Sequence, residues 1–135
     1  MLSTPTVGQF RKASSSSPQQ ACVMVYRDDH RTLIWDDKLA ATVDTPHVPP
    51  GQCLSFDHEQ FEVIQEAIRA GEPVERFLVI TRRFDGLYEF SADADCADSA
   101  GATRLYFDHR EFTAFVRAVA GGEFARALFA AVGTP

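Results

Sequence analysis

A chain of 135 residues, 45% of them hydrophobic, is long enough to bury a substantial core, yet no apolar run approaches the roughly 18 residues of a membrane span. A formal net charge of −6 argues against nucleic acid as a direct ligand, because that affinity is dominated by neutralising phosphates. Cys22, Cys53 and Cys96 form an odd, scattered set without CxxC spacing, which indicates neither a disulfide framework nor a zinc site.

The charge is unevenly spread. Residues 21–75 carry 4 basic against 11 acidic groups, whereas residues 76–135 carry 7 against 8. Such an acidic half suits a basic protein partner. The amino terminus has neither the basic nor the apolar region of a signal peptide, so a cytoplasmic protein is expected.

Residues 1–9 read as a flexible tail, and the Ser14–Ser17, Pro18 and Gln19–Gln20 stretch has too little apolar content to fold alone. Cys22–Arg27 and Leu33–Trp35 are short β-branched and aromatic runs separated by Asp28-Asp-His-Arg31, the pattern of a hairpin. Leu54-Ser-Phe56 forms a third strand. Asp57 then opens a helix, with Gln60 three residues later completing a capping box. Apolar Phe61, Ile64 and Ile68 mark its inner face, and Gly71 with Pro73 ends it near Ala70.

The same unit then recurs. Phe77–Arg82 and Leu87–Glu89 flank Arg83-Phe-Asp-Gly86, where Asp-Gly favours a tight turn with both residues at positive φ. Leu105-Tyr-Phe107 is the third strand, and Asp108 with Glu111 caps a helix running from His109 to Ala120 before Gly121-Gly122. From Leu54/Leu105 to Glu72/Glu123 the offset is a constant 51 residues, the mark of an internal duplication. The expected fold is therefore α+β, two tandem β-β-β-α modules at residues 10–73 and 74–135, related by a pseudo-two-fold. A short extra helix should run from Glu123 to Val132. Each module falls below the roughly 70–80 residues that stand comfortably alone, so the copies should pack as one globular unit.

No catalytic pattern emerges. GxGxxG, Walker A and HExxH are absent. His58 and His109 each follow an Asp, a pairing that can orient an imidazole, but Asp57 and Asp108 are accounted for as caps. Asp93, Asp95 and Asp98 fail the calcium-loop test, since the sixth and twelfth positions hold Asp98 and Arg104 where Gly and Glu are needed. The chain reads as a non-enzyme without cofactor or metal. Trp35 stands out: beside Asp36-Asp37-Lys38 it is either a core anchor or an interface hot spot.

Phe10-Arg-Lys-Ala-Ser-Ser-Ser, Ala21-Cys22-Val-Met-Val25, Ile34-Trp-Asp36-Asp-Lys38 and Leu54-Ser-Phe56 with Phe61 and Gly71 resemble the actinobacterial family known as domain of unknown function 397. Eleven arginines against two lysines and no asparagine fit a GC-rich genome. The chain departs from the family pattern at Phe10 for Trp, at Met24 for Glu and at Trp35-Asp36-Asp37 for Arg-Asp-Ser, and the second module keeps only the framework. The resemblance implies a small partner of Xre-type helix-turn-helix regulators, antitoxin-like in some descriptions, with Arg11, Lys12, Ser14, Ser15, Cys22, Asp36 and Lys38 at matching positions. The expected function is that of a regulatory accessory, with Arg11, Lys12, Trp35, Asp36, Asp37 and Lys38 as partner-binding candidates. The alternatives are a small-molecule sensor with a ligand groove between the modules, and a homodimeric structural protein.

Overall fold

The computed structural model describes residues 5–12, 23–96, 101–126 and 128–129. Cys22, Ser14, Ser15, Asp98 and the expected helix end at Val132 lie outside them.

The chain is α+β, with two antiparallel sheets each followed by a helix packed on it. In the first module β2 (Val23–Arg27) pairs with β3 (Thr32–Asp36), and β3 with β4 (Leu54–Phe56). The β2–β3 connection is closed by Asp28, whose Oδ1 accepts from the backbone N–H of His30 and Arg31 at 2.7 and 3.0 Å. This is an Asx turn. A strand absent from the sequence reading, β1 (Arg11–Lys12), pairs with the outer edge of β2 and completes the order β1-β2-β3-β4.

The second sheet has the order β5-β6-β7, formed by β5 (Leu78–Arg82), β6 (Tyr88–Ala92) and β7 (Leu105–Phe107). Its hairpin differs from expectation. Gly86 takes positive φ (+89°) but Asp85 does not, and the Asp85 Oδ1 instead accepts from Leu87 N–H at 3.1 Å. The longer connection between β5 and β6 needs only one left-handed residue, so the Asp-Gly pair acts as a side-chain-braced turn rather than as a two-residue loop.

Both helices match the sequence reading, α1 at His58–Arg69 and α2 at His109–Ala120. Both capping boxes are formed: Asp57 Oδ1 accepts from Gln60 N–H at 2.8 Å while Gln60 Oε1 accepts from Asp57 N–H at 2.9 Å. Asp108 and Glu111 repeat this at 2.8 Å each way. At the other ends Gly71 and Gly122 adopt φ of +71° and +74°, which lets Glu72 N–H reach Ala67 O and Glu123 N–H reach Ala118 O. These are the hydrogen bonds of a Schellman closure. Glu123 thus lies in a turn, and the last helix, of which Arg126, Leu128 and Phe129 are described, begins after it.

Strand register refines the duplication. Val25 opposite Ile34 and Ile80 opposite Phe90, with Leu54 and Leu105 as the next neighbours, make Ile34 the counterpart of Phe90 and Thr32 that of Tyr88. Trp35 therefore corresponds to Ser91, so the second strands expected at Leu33–Trp35 and Leu87–Glu89 are equivalent only after a shift of two residues. An even displacement keeps each side chain on its own face of the sheet, which is why the apolar pattern concealed it.

One core runs through both modules, joining Phe56, Phe61 and Ile64 to Phe90, Phe107, Phe115 and Phe124. The outer side of the first sheet carries a second, smaller cluster of Phe10, Met24, Leu33, Trp35, Val48 and Cys53. The chain is anchored to it earlier than expected: Pro5 is buried and its carbonyl accepts from Val48 N–H at 3.0 Å. The outer side of the second sheet is polar instead, with Glu89 3.6 Å from Arg83 and 3.7 Å from Arg104.

Candidate partner-binding site

The six candidates fall in two runs of the chain, Arg11–Lys12 and Trp35–Lys38, and the first sheet brings Lys12 of the first run beside Asp37 of the second. Lys12 lies opposite Met24, and Met24 opposite Trp35. The Lys12 ammonium stands 3.7 Å from the Asp37 carboxylate, and the Arg11 guanidinium lies 5.6 Å over the Phe129 ring.

Trp35 has no solvent exposure. Its ring packs 5.4 Å from that of Phe10, and its indole N–H donates to Gln52 Oε1 at 3.0 Å. Among the two readings left open by the sequence, the structure gives the core anchor. Burial of the whole ring with its one donor satisfied is the usual resolution for an amphipathic aromatic.

Asp36 is 6% exposed. One of its oxygens accepts from Lys38 N–H at 2.9 Å and lies 3.2 Å from Lys38 Nζ. Burial raises its pKa, outweighing the lowering by Lys38 hydrogen bonding and charge. The Lys38 ammonium goes further, donating to Glu111 Oε2 at 2.8 Å and to the Tyr106 carbonyl at 3.0 Å, and sitting 4.8 Å over the Phe107 ring. Burial lowers the Lys38 pKa, but the Glu111 hydrogen bond and the two carboxylate charges prevail and leave it raised. Asp36, Lys38 and Glu111 thus form a clamp between the modules, and the accessible remainder of the candidate set is Arg11, Lys12, Asp37 and the flank of Lys38. That remainder is predominantly basic.

A second intermodule link was not anticipated. Buried Arg27 donates to Thr32 Oγ1 at 3.0 Å and to the Phe124 carbonyl at 3.1 Å, with its guanidinium 4.8 Å over the Phe61 ring and 3.9 Å from Glu62. Burial lowers its pKa, opposed by Glu62. The one sequence signal for the Lys38 clamp is the capping-box residue, an acid at Glu111 where the first module has neutral Gln60.

The Asp-His pairs separate in role. His109 Nδ1 lies 3.1 Å from the Tyr88 hydroxyl, whereas both ring nitrogens of His58 are buried without a hydrogen-bond partner among the described residues. Register explains the contrast, since the counterpart of Tyr88 is Thr32, whose short side chain is taken by Arg27. Asp93 is likewise structural. Its carboxylate accepts from the backbone N–H of Phe77, Asp95 and Cys96 at 2.7, 2.9 and 3.0 Å, and the Phe77 hydrogen bond leads the causes that lower its pKa. It braces Phe77, the one described non-glycine residue at positive φ (+67°). Among the described residues no group of His, Cys, Asp and Glu is arranged to hold a metal, and no helix is long and apolar enough to cross a membrane.

Exposed carboxylates are most numerous between residues 29 and 75, and beyond that stretch Asp85, Asp95 and Asp108 are exposed as well. Asp29, Asp44, Asp57, Glu59, Glu62, Glu66, Glu72 and Glu75 are exposed. No protein-family model, curated protein or solved structure matches the chain.

Proposed function

We propose that the protein is a non-enzymatic regulatory accessory that binds a basic DNA-binding regulator through the acidic surface of its first module. The observation that carries this reading is the distribution of carboxylates. Those of Asp36, Asp93 and Glu111 are committed within the fold, while the exposed ones concentrate between Asp29 and Glu75. The resemblance of residues 10–72 to partners of Xre-type helix-turn-helix proteins supplies the class of regulator. Arg11, Lys12 and Asp37 would form a rim around the contact, with Trp35 supporting it from beneath. Such a protein acts in the cytoplasm, needs no cofactor and does not itself touch DNA.

The test is a surface-binding measurement against the helix-turn-helix protein encoded beside it. Association should weaken steeply with salt, because the screening length falls from about 10 Å at 0.1 M to about 3 Å at 1 M. Asp44→Lys/Glu72→Lys should slow association, whereas Asp85→Lys/Asp95→Lys in the second module should not, since rim charges act mainly on the on-rate. Binding that is indifferent to salt, or equally sensitive to both pairs, would remove the first module as the contact.

A further inference from the structure

The duplicated helices agree in their caps and inner faces but oppose each other in charge. At equivalent positions on the solvent side, Glu59 and Glu66 of α1 correspond to Arg110 and Arg117 of α2, and all four are exposed. Both pairs are spaced seven residues apart, two helical turns or about 10.5 Å along one face. The intervening Glu62 is already engaged, accepting from Gln65 Nε2 at 2.7 Å and lying 3.9 Å from Arg27, and its counterpart Thr113 is neutral. None of the four outer charges has an ion-pair partner among the described residues.

Two of these charges sit against their own helix dipole. Glu66 falls in the last turn of α1 and Arg110 in the first turn of α2, where the partial charges of the helix ends disfavour them. Glu59 and Glu66 also flank a third carboxylate at three- and four-residue spacing, a repulsive arrangement on an isolated helix. We propose that α1 and α2 form a self-complementary docking surface whose occupant is a second copy of this chain, α1 of one copy lying antiparallel to α2 of the other. Glu66 then meets Arg110 of the second copy and Glu59 meets its Arg117, so each charge that its own helix disfavours finds the other. A two-fold arrangement makes every such pair twice, the isologous contact expected of a symmetric dimer.

This inference is independent of the regulator reading and is tested on the purified full-length protein alone, so the failure of either leaves the other standing. Sedimentation equilibrium at low ionic strength should show a concentration-dependent dimer, with association at least tenfold weaker in 1 M salt. E59R/E66R and R110E/R117E should each weaken dimerisation at least tenfold, with circular dichroism showing retained structure. If either charge-reversed variant fails to fold, E59Q/E66Q and R110Q/R117Q carry the same expectation of weakening. The decisive measurement is the equimolar mixture of the two reversed variants, in which α1 of one is basic and α2 of the other acidic; association should return to at least the wild-type level. A wild-type protein that stays monomeric, variants that associate as the wild type does, or a mixture that stays dissociated would each overturn the proposal.

Discussion

Lys38→Met isolates the clamp between the modules. The substitution keeps an aliphatic stem but removes the ammonium from Glu111 (2.8 Å), the Tyr106 carbonyl (3.0 Å), Asp36 (3.2 Å) and the Phe107 ring (4.8 Å to its centroid). Breaking a fully buried ion pair costs about 3–5 kcal/mol, because a desolvated charge is left behind. Here the Asp36 and Glu111 side chains are 8% and 6% exposed but that of Lys38 is 43% exposed. Water entering at the lysine would rehydrate part of the two carboxylates, so the expected loss is about 2–3 kcal/mol. At about 3–4 °C per kcal/mol for a chain of this size, the melting temperature should fall by about 6–12 °C. Urea denaturation followed through Trp35 fluorescence and by circular dichroism gives the free energy directly. Adding Glu111→Gln to Lys38→Met should recover part of the loss, since it removes one orphaned charge, and the double-mutant cycle should return a coupling of about 1 kcal/mol or more. A Lys38→Met protein within 0.5 kcal/mol of the wild type, or strictly additive double-mutant behaviour, would refute the clamp.

Alkaline titration should show the same contact: with its pKa raised, Lys38 contributes stability that is intact below the ordinary lysine value of 10.5 and is lost as pH climbs through the higher folded value, a loss that pH-dependent urea midpoints should reveal and that Lys38→Met should lack. Asp57→Ala and Asp108→Ala should each cost about 1 kcal/mol by loss of an N-cap, measured by thermal melting. His109→Ala should cost about 0.5–1.5 kcal/mol through its Tyr88 hydrogen bond, while His58→Ala, which removes buried nitrogens without partners, should cost less; the reverse order would contradict the assignment of the two pairs. Burial pushes the Cys53 thiol up to about 12 and, with Asp93 as the next cause, the Cys96 thiol to about 11, so mass-mapped alkylation of the native protein at pH 8 should leave both unmodified.

The elements legible in the sequence were those governed by neighbours in the chain. Asp57 with Gln60, Asp108 with Glu111, and Gly71 with Gly122 act through bonds spanning a few residues, and they located both helices to within a residue. What escaped was set by contacts distant in sequence. The two-residue β1 has no pattern of its own and exists because the β2 edge is there to pair with. The counterpart of Trp35 was misplaced because loops of unequal length shift the strands while preserving their alternation. The candidate site was identified as a set of neighbours, but its accessibility was not. Asp36 and Lys38 read as exposed charges beside a turn, and only the approach of α2 and β7 turns them inward. The buried Arg27 was invisible for the same reason, since its acceptor at Phe124 lies in the other module.

The Lys38 clamp also gives the duplication a direction. Counting two residues past the strand ends at Asp36 and Ala92 puts Ala94 where the first module has Lys38, and Gln60 stands where the second has Glu111, so the contact is made once rather than twice. A chain built from two first modules would set a lysine against an amide, and one built from two second modules would leave Glu111 facing an alanine. The halves have become a lock and a key: neither can replace the other, and their order along the chain is written into a single ammonium group.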